Sequence, residues 1–402
     1  MTMNNQIKLI SVLASMPFLV GCIAIDLETD FVSDLTVHNQ IIDQSSDGFP
    51  EIDPLLLTDE MKQFVDEHVR SRDMDSNKVN TLQEIMFEEE YLNIQYQGLG
   101  TGTALKVFES QIGNCLSVMG LYVSLARYVG LDANFQTVAN QPSWDMQGDL
   151  LVLSQHINAT GSLGGRLRYV VDFTPEIALQ QMTSRSISDR QARALYFNNL
   201  GVEALIAEDL GQALVYFKNA LWLDQDLSIG WNNIGTTYNR SGNSELAEYS
   251  YKMAFSLDRS NATAINNLAR FYDSQGDRAR GNEYRRAIER FNNQNPYFHY
   301  AQGNLAFVDN NYNQARISFH RAVRLKEDEP EFHLALANIY QLIGDDDTAL
   351  SFTRSAEELL SNDEIYRPSD QKVRFIDPDT ILRSSSPRLS IYPRGSPRFE
   401  PR

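Results

Sequence analysis

The chain has 402 residues, 42% of them apolar and 22% charged, with a formal net charge of −18. That balance describes a soluble globular protein of two or three domains. It excludes nucleic acid as a partner, because phosphate binding needs clustered lysine and arginine.

Met1 to Val20 carries one positive charge, Lys8, and an apolar run from Leu9 to Val20. The run is shorter than the about 20 residues a spanning helix needs, but it suits the apolar region of an export signal. It ends Leu19-Val20-Gly21-Cys22. This resembles the bacterial lipobox, whose cleavage leaves the cysteine as a lipid-bearing N-terminus. The resemblance implies that residues 1–22 are a lipoprotein signal peptide, that Cys22 is lipidated, and that acyl chains anchor the protein to a membrane. Ile23 stands where Asp would resemble an inner-membrane retention signal. The expected location is therefore the outer membrane of a bacterial envelope, facing the periplasm. Cys115, the second of two cysteines, is then the only thiol of the exported chain. It has no intrachain disulfide partner and is either a reactive thiol or an inert buried one.

Residues 23–50 are polar and acidic without a sustained period, and read as a tether. From 51 to 178 the pattern is that of an α+β domain. Thr58 opens a helix with Met61, Phe64, Val65 and Val69 on one stripe, and Leu82, Ile85 and Met86 belong to a second. His68, among Asp66, Glu67 and Arg70, reads as a solvated surface residue. Cys115 to Leu131 is apolar nearly all round, as a helix at the centre of a domain must be. Asn114 is its expected N-cap and Gly130 its terminator. Cys115 thus falls in the first turn, where the helix dipole favours a thiolate and free N–H groups can hold an oxyanion.

A nucleophilic thiol needs a base and a group that orients the base. Between Cys115 and the repeats described below the only histidine is His156, in the strand-like run Leu150 to Asn158. A second run, Leu167 to Phe173, follows the glycine-rich turn Gly161 to Gly165. A hairpin centred near Gly164 sets His156 directly opposite Asp172, close enough for an imidazole–carboxylate hydrogen bond.

Thr101-Gly-Thr-Ala-Leu-Lys-Val-Phe-Glu, Gly113-Asn-Cys-Leu-Ser and Leu125-Ala-Arg-Tyr-Val-Gly-Leu resemble the core of the transglutaminase-like superfamily. The resemblance covers about residues 80 to 178 and implies a papain-like arrangement: a cysteine on a helix, then histidine and aspartate on neighbouring strands. The matching positions are Cys115, His156 and Asp172. The implied chemistry is acyl transfer. Cys115 attacks a carboxamide or peptide carbonyl, His156 shuttles the proton, Asp172 fixes the imidazole tautomer, and a thioester is resolved by an amine or by water. Gln111 and Trp144 are the candidates for a second oxyanion donor.

Residues 179–193 read as a linker that ends in the capping-box pattern Ser188-Asp-Arg-Gln191. From 194 to 363 five copies of a 34-residue unit start at Ala194, Ser228, Ala262, Pro296 and Pro330. The eighth column reads Gly201, Gly235, Ala269, Gly303, Ala337, and the twentieth Ala213, Ala247, Gly281, Ala315, Ala349. Both stay small, as close helix crossings require. The unit is similar to the tetratricopeptide repeat, which implies an all-α solenoid whose groove binds a protein or peptide. Asn199, Asn233 and Asn267 recur in the sixth column and are candidate contacts to a peptide backbone; solvated surface is the alternative. His299 and His333 replace core aromatics. In the third copy Arg285 and Ile288 stand where an aromatic and an alanine belong, so its second helix is expected to shift by a residue. Residues 364–402 read as a disordered tail, basic from Ser384. No HExxH, Cys-x-x-Cys or glycine-rich phosphate loop occurs, so no metal, nucleotide or other cofactor is expected.

The fold expected is an α+β papain/transglutaminase-like domain followed by an all-α tetratricopeptide-repeat solenoid. Two functions follow. One is a lipid-anchored cysteine acyltransferase, or a protease or amidase, whose repeats recruit a protein. The other is a non-catalytic scaffold with a silent transglutaminase-like domain.

Overall fold

The computed structural model describes residues 27, 31–43, 50–147, 150–165, 167–172, 184–308, 310–327, 329–362 and 373–376. The signal peptide with Cys22 and residues 377–402 lie outside them.

Ahead of the first domain, α1 (Leu35–Ile42) is capped by Asp34, whose carboxylate accepts from the N–H groups of Thr36 and Val37. The α+β domain then runs through α2 (Asp59–His68), α3 (Asp75–Phe87), β1 (Gln95–Tyr96), α4 (Ala104–Ser110), β2 (Ile112–Gly113) and α5 (Cys115–Tyr128). It continues with β3 (Asn134–Gln147), β4 (Leu150–Leu163), β5 (Leu167–Val171) and β6 (Ser184–Ile187). Helix α5 is the axis of the domain, with every residue from Leu116 to Ala126 buried. Its core partners are Met61 and Val65 of α2, Val79, Leu82, Ile85 and Met86 of α3, and Phe135, Ile157, Ala159, Tyr169 and Val171 of the sheet. No face of the helix is left for water, which is why its sequence shows no polar stripe.

The sheet is antiparallel in the order β6-β3-β4-β5-β7, where β7 is Val373–Ile376. The β4–β5 hairpin pairs Leu163 with Leu167 and Ala159 with Val171. Its turn is therefore centred on Gly165, one residue later than expected, and Gly164 and Gly165 have φ of 59° and 77°. Two consecutive left-handed residues are accessible at low cost only to glycine, and this pair moves the bend. The register shifts by two, so Asp172 continues the ladder beside Asn158 and lies diagonal to His156 rather than opposite it. Because the pleat repeats every two residues, the shift keeps both on one face. Between Val138↔His156 and Ser143↔Ser154, strand β3 bulges. Pro142 in that bulge has no N–H to give a ladder.

Five helical pairs follow: α6 (Asp189–Ile206) with α7 (Leu210–Leu223), α8 (Ser228–Arg240) with α9 (Ser244–Leu257), and α10 (Ala262–Ser274) with α11 (Arg278–Gln294). The last two are α12 (Pro296–Val308) with α13 (Tyr312–Leu325) and α14 (Pro330–Leu342) with α15 (Asp346–Asn362). Each pair turns at one left-handed residue, Glu208, Gly242, Gly276, Asn310 or Gly344. The next residue, Asp209, Asn243, Asp277, Asn311 or Asp345, accepts from a backbone N–H in the first turn of the second helix. In α11, Tyr284 and Ala287 are buried one place before the usual aromatic and alanine columns.

Three assignments change. The residues read as a tether include α1, which packs on α7 and α9. Ile41 and Leu27 enter the solenoid core beside Phe217 and Trp231, and His38 stacks on Trp231 at 4.9 Å. The apolar residues of this stretch are too irregularly spaced to announce an element, but they fit the groove between two helices. The residues read as a linker contain β6, which pairs with β3, and the first turn of α6, where Ala192 joins the α+β core. The capping box at Ser188 and Gln191 forms there. Within the stretch read as a disordered tail, β7 pairs with β5. Its sequence, Val-Arg-Phe-Ile, is rich in residues that favour strands.

Candidate active site

The site starts from the N-terminus of α5. Asn114 caps it, its Oδ1 accepting from Ser117 N–H at 2.9 Å and from Ser117 Oγ–H at 2.8 Å. The Asn114 amide donates to Thr101 Oγ1 at 2.9 Å, and Gly102 N–H donates to Ser117 Oγ at 2.9 Å. Cys115 is the first helical residue and is half-buried.

His156 is buried on β4 at 7% exposure. Its Nε2–H donates to the Asp172 carboxylate, 2.8 Å from Oδ2 and 2.9 Å from Oδ1. Asn158 Nδ2 donates to Oδ2 at 3.4 Å. The Cys115 thiol lies near enough to act on the same imidazole. Burial works to lower the His156 pKa, but the hydrogen bonds to Asp172 and Cys115 and their charges overcome it and hold the ring at about 9. At neutral pH the ring is protonated, which favours a thiolate beside it and leaves a proton to give to a departing amine. The structure thus brings Cys115, His156 and Asp172 together.

The oxyanion candidates stand differently. Gln111 closes α4 in a left-handed conformation, and its carbonyl accepts from Gln95 N–H at 2.8 Å, while its side chain is exposed. Trp144 pairs in backbone with Leu153, and its side chain lies outside the described ones. Ahead of the Ser117 N–H, which Asn114 takes, the N–H groups of Cys115 and Leu116 have no carbonyl acceptor in their own helix. Tyr96, absent from the sequence reading, pairs with Gly113, and burial and the nearby Cys115 raise its hydroxyl pKa. The short parallel ladder β1–β2 that brings it there has no signal in periodicity. Asn158 was also missed, although its place two residues from His156 on one strand could have flagged it.

In the solenoid, Asn233 donates to Asn198 Oδ1 at 3.0 Å, Asn232 to Asn233 Oδ1 at 3.3 Å, and Asn267 to Asn232 Oδ1 at 2.9 Å. The row is therefore a chain of side-chain bonds linking α6, α8 and α10. Asn199 is half-buried in the same column. His68 is not a solvated residue: its ring lies between Phe64 and Tyr91, and Nδ1 bonds the Phe64 carbonyl at 2.7 Å. His299 and His333 are buried, with Nε2 bonded to the carbonyls of Asn293 and Glu327.

The repeat half is a helical solenoid of five helical pairs. Among solved structures it is similar to MamA (17% identity over 44% of this chain and 96% of that one, TM-score 0.24). It is also similar to pilF of Pseudomonas aeruginosa (18%, 42% and 78%, TM-score 0.26). A third is YrrB, described as a TPR protein with an unusual peptide-binding site (16%, 44% and 90%, TM-score 0.24). These likenesses are too low to bear on function. No protein-family model and no curated protein matches the chain. Among the described residues no three metal-ligating side chains cluster, and no helix is long and apolar enough to cross a membrane.

Proposed function

We propose that this protein is a lipid-anchored envelope protein with a transglutaminase-like thiol site. Cys115 is the nucleophile, His156 the proton shuttle and Asp172 the orienting carboxylate. The observation that carries the reading is the buried His156, bonded through Nε2 to both oxygens of Asp172 and held protonated by Asp172 and the nearby Cys115. Sγ of Cys115 forms a bond to the carbonyl carbon of a carboxamide or peptide. The C–N bond breaks, and the amine leaves with the proton held by His156. Water or a second amine then cleaves the thioester and restores the thiol. The solenoid holds the protein whose acyl group is delivered, and Cys22 supplies the lipid attachment at the periplasmic side of the outer membrane.

The test is alkylation of Cys115 by iodoacetamide across pH, with Cys115→Ser as the blank and labelled amine incorporation as the product assay. Rapid alkylation near neutral pH, abolished in the blank, supports the reading. A thiol no faster than free cysteine sinks it.

A second reading has its own observation. The helical pairs from Asp189 to Asn362 make up a large share of the described chain, and such surfaces bind proteins without chemistry. A scaffold would keep its partners and its phenotype in Cys115→Ala, whereas an enzyme would keep only the partners.

A further inference from the structure

The first repeat reaches into the thiol site through one carboxylate. Glu203, in the last turn of α6, accepts from two consecutive backbone amides of the loop between β1 and α4: Gly100 N–H at 3.0 Å and Thr101 N–H at 2.7 Å. Charge-assisted bonds of this kind are about twice as strong as neutral ones. Gly100 has φ of +100°, a conformation that aims its amide with that of Thr101 at one anion. The next residues carry the constraint on. Thr101, 3% exposed, gives its hydroxyl oxygen to the Asn114 amide, and Gly102 gives its N–H to Ser117 Oγ. Asn114 and Ser117 are the cap and third residue of the helix that begins with Cys115. A continuous run of four hydrogen bonds therefore joins a solenoid side chain to the turn that presents the thiol. Two further ties keep the bodies in register. Arg127 of α5 makes a bidentate pair with Asp189 at 2.7 and 2.9 Å, and Arg193 bonds Asp53 at 2.9 Å.

We propose that Glu203 is a positioning residue for Cys115. The first repeat, through Glu203, Thr101 and Asn114, fixes the start of α5 so that the thiol meets His156. This rests on the thiol reading above and adds to it a route from the solenoid to the site. A protein bound at the first repeat that drew the Glu203 carboxylate away would release the cap and quiet the thiol.

The test uses the full chain and three variants. Glu203→Ala removes both contacts. Glu203→Gln keeps an acceptor oxygen. Thr101→Val leaves Glu203 its amides but cuts the link to Asn114. Iodoacetamide rates across pH are read alongside amide exchange at Gly102 and Ser117. Small misplacements of a reacting group cost rate steeply, so Glu203→Ala and Thr101→Val should each alkylate about tenfold more slowly, with faster exchange at Ser117. Glu203→Gln should recover most of the rate. If Glu203→Ala fails to fold, Thr101→Val and Glu203→Gln decide by the same criteria. A folded Glu203→Ala with the parent's rate and pH profile overturns the proposal and leaves the thiol reading standing. A parent thiol that is itself unreactive sinks the thiol reading. The positioning claim then survives only if amide exchange quickens in Glu203→Ala and not in Glu203→Gln.

Discussion

Asp172→Asn tests the electrostatics of the site directly. In the parent chain His156 titrates at about 9 instead of 6.5, although burial alone would push it down. The difference of about 2.5 pKa units corresponds to about 3 kcal/mol in favour of the imidazolium, at roughly 1.4 kcal/mol per unit. The folded-state value is raised, so this stabilisation is fully present below pH 6.5 and is lost as pH rises through about 9. Asparagine keeps the size of the side chain but removes the charge, leaving burial opposed only by Cys115. The imidazole should then titrate at or below its ordinary value. Nitrogen-15 NMR of His156 reads this from pH 5 to 10.5. The iodoacetamide profile should follow, with the alkaline limb of the imidazolium lost in the variant. A parent His156 that titrates near 6.5, or a variant that still titrates near 9, would refute the assignment of Asp172 as the group that holds the ring protonated.

Three further outcomes follow from the packing. A Cβ on Gly201 would sit 2.5 Å from the Phe217 ring, so Gly201→Ala should destabilise the first repeat by about 1–3 kcal/mol, seen by calorimetry. Asn232 is buried and both donates to Asn233 and accepts from Asn267. Asn232→Ala should cost about 1–3 kcal/mol by leaving Asn267 short of a partner, and amide exchange should loosen α10. Glu331 has its pKa pushed up to about 7 by burial and by the neighbouring Glu329, with Lys326 opposing. A carboxyl raised in the folded state favours folding at low pH and loses that advantage as pH rises through 7. The thermal midpoint of the last repeat should fall from pH 5 to 8, and Glu331→Gln should flatten that fall.

What could be read from sequence was what is encoded locally. The cap at Asn114, the apolar α5 and the small columns of the repeat each reside within a few residues or recur at a fixed interval. The pairing of His156 with Asp172 was legible as a face but not as a register. Parity survives a two-residue shift, whereas the centre of the turn depends on how Gly164 and Gly165 share the bend. The strands β1, β2, β6 and β7 were not legible. Each has two to four residues, and β1, β6 and β7 owe their conformation to partners more than ten residues away. Glu203 was invisible for another reason: a single carboxylate on a repeat helix looks like solvated surface until the loop it holds is seen.

The pairing of Val171 with Val373 has a consequence for how the protein is made. Strand β5, adjoining Asp172, emerges from the ribosome long before β7, and the whole solenoid is synthesised between them. Until then β5 is an open edge, able to accept any passing strand. Closing a loop of that length costs about 5 kcal/mol of chain entropy, which the prior stacking of the helical pairs would reduce by shortening the free path. Addition of β7 is therefore a late event that reports on completion of the repeats. A chain truncated within them would carry a complete Cys115 helix beside an unfinished sheet.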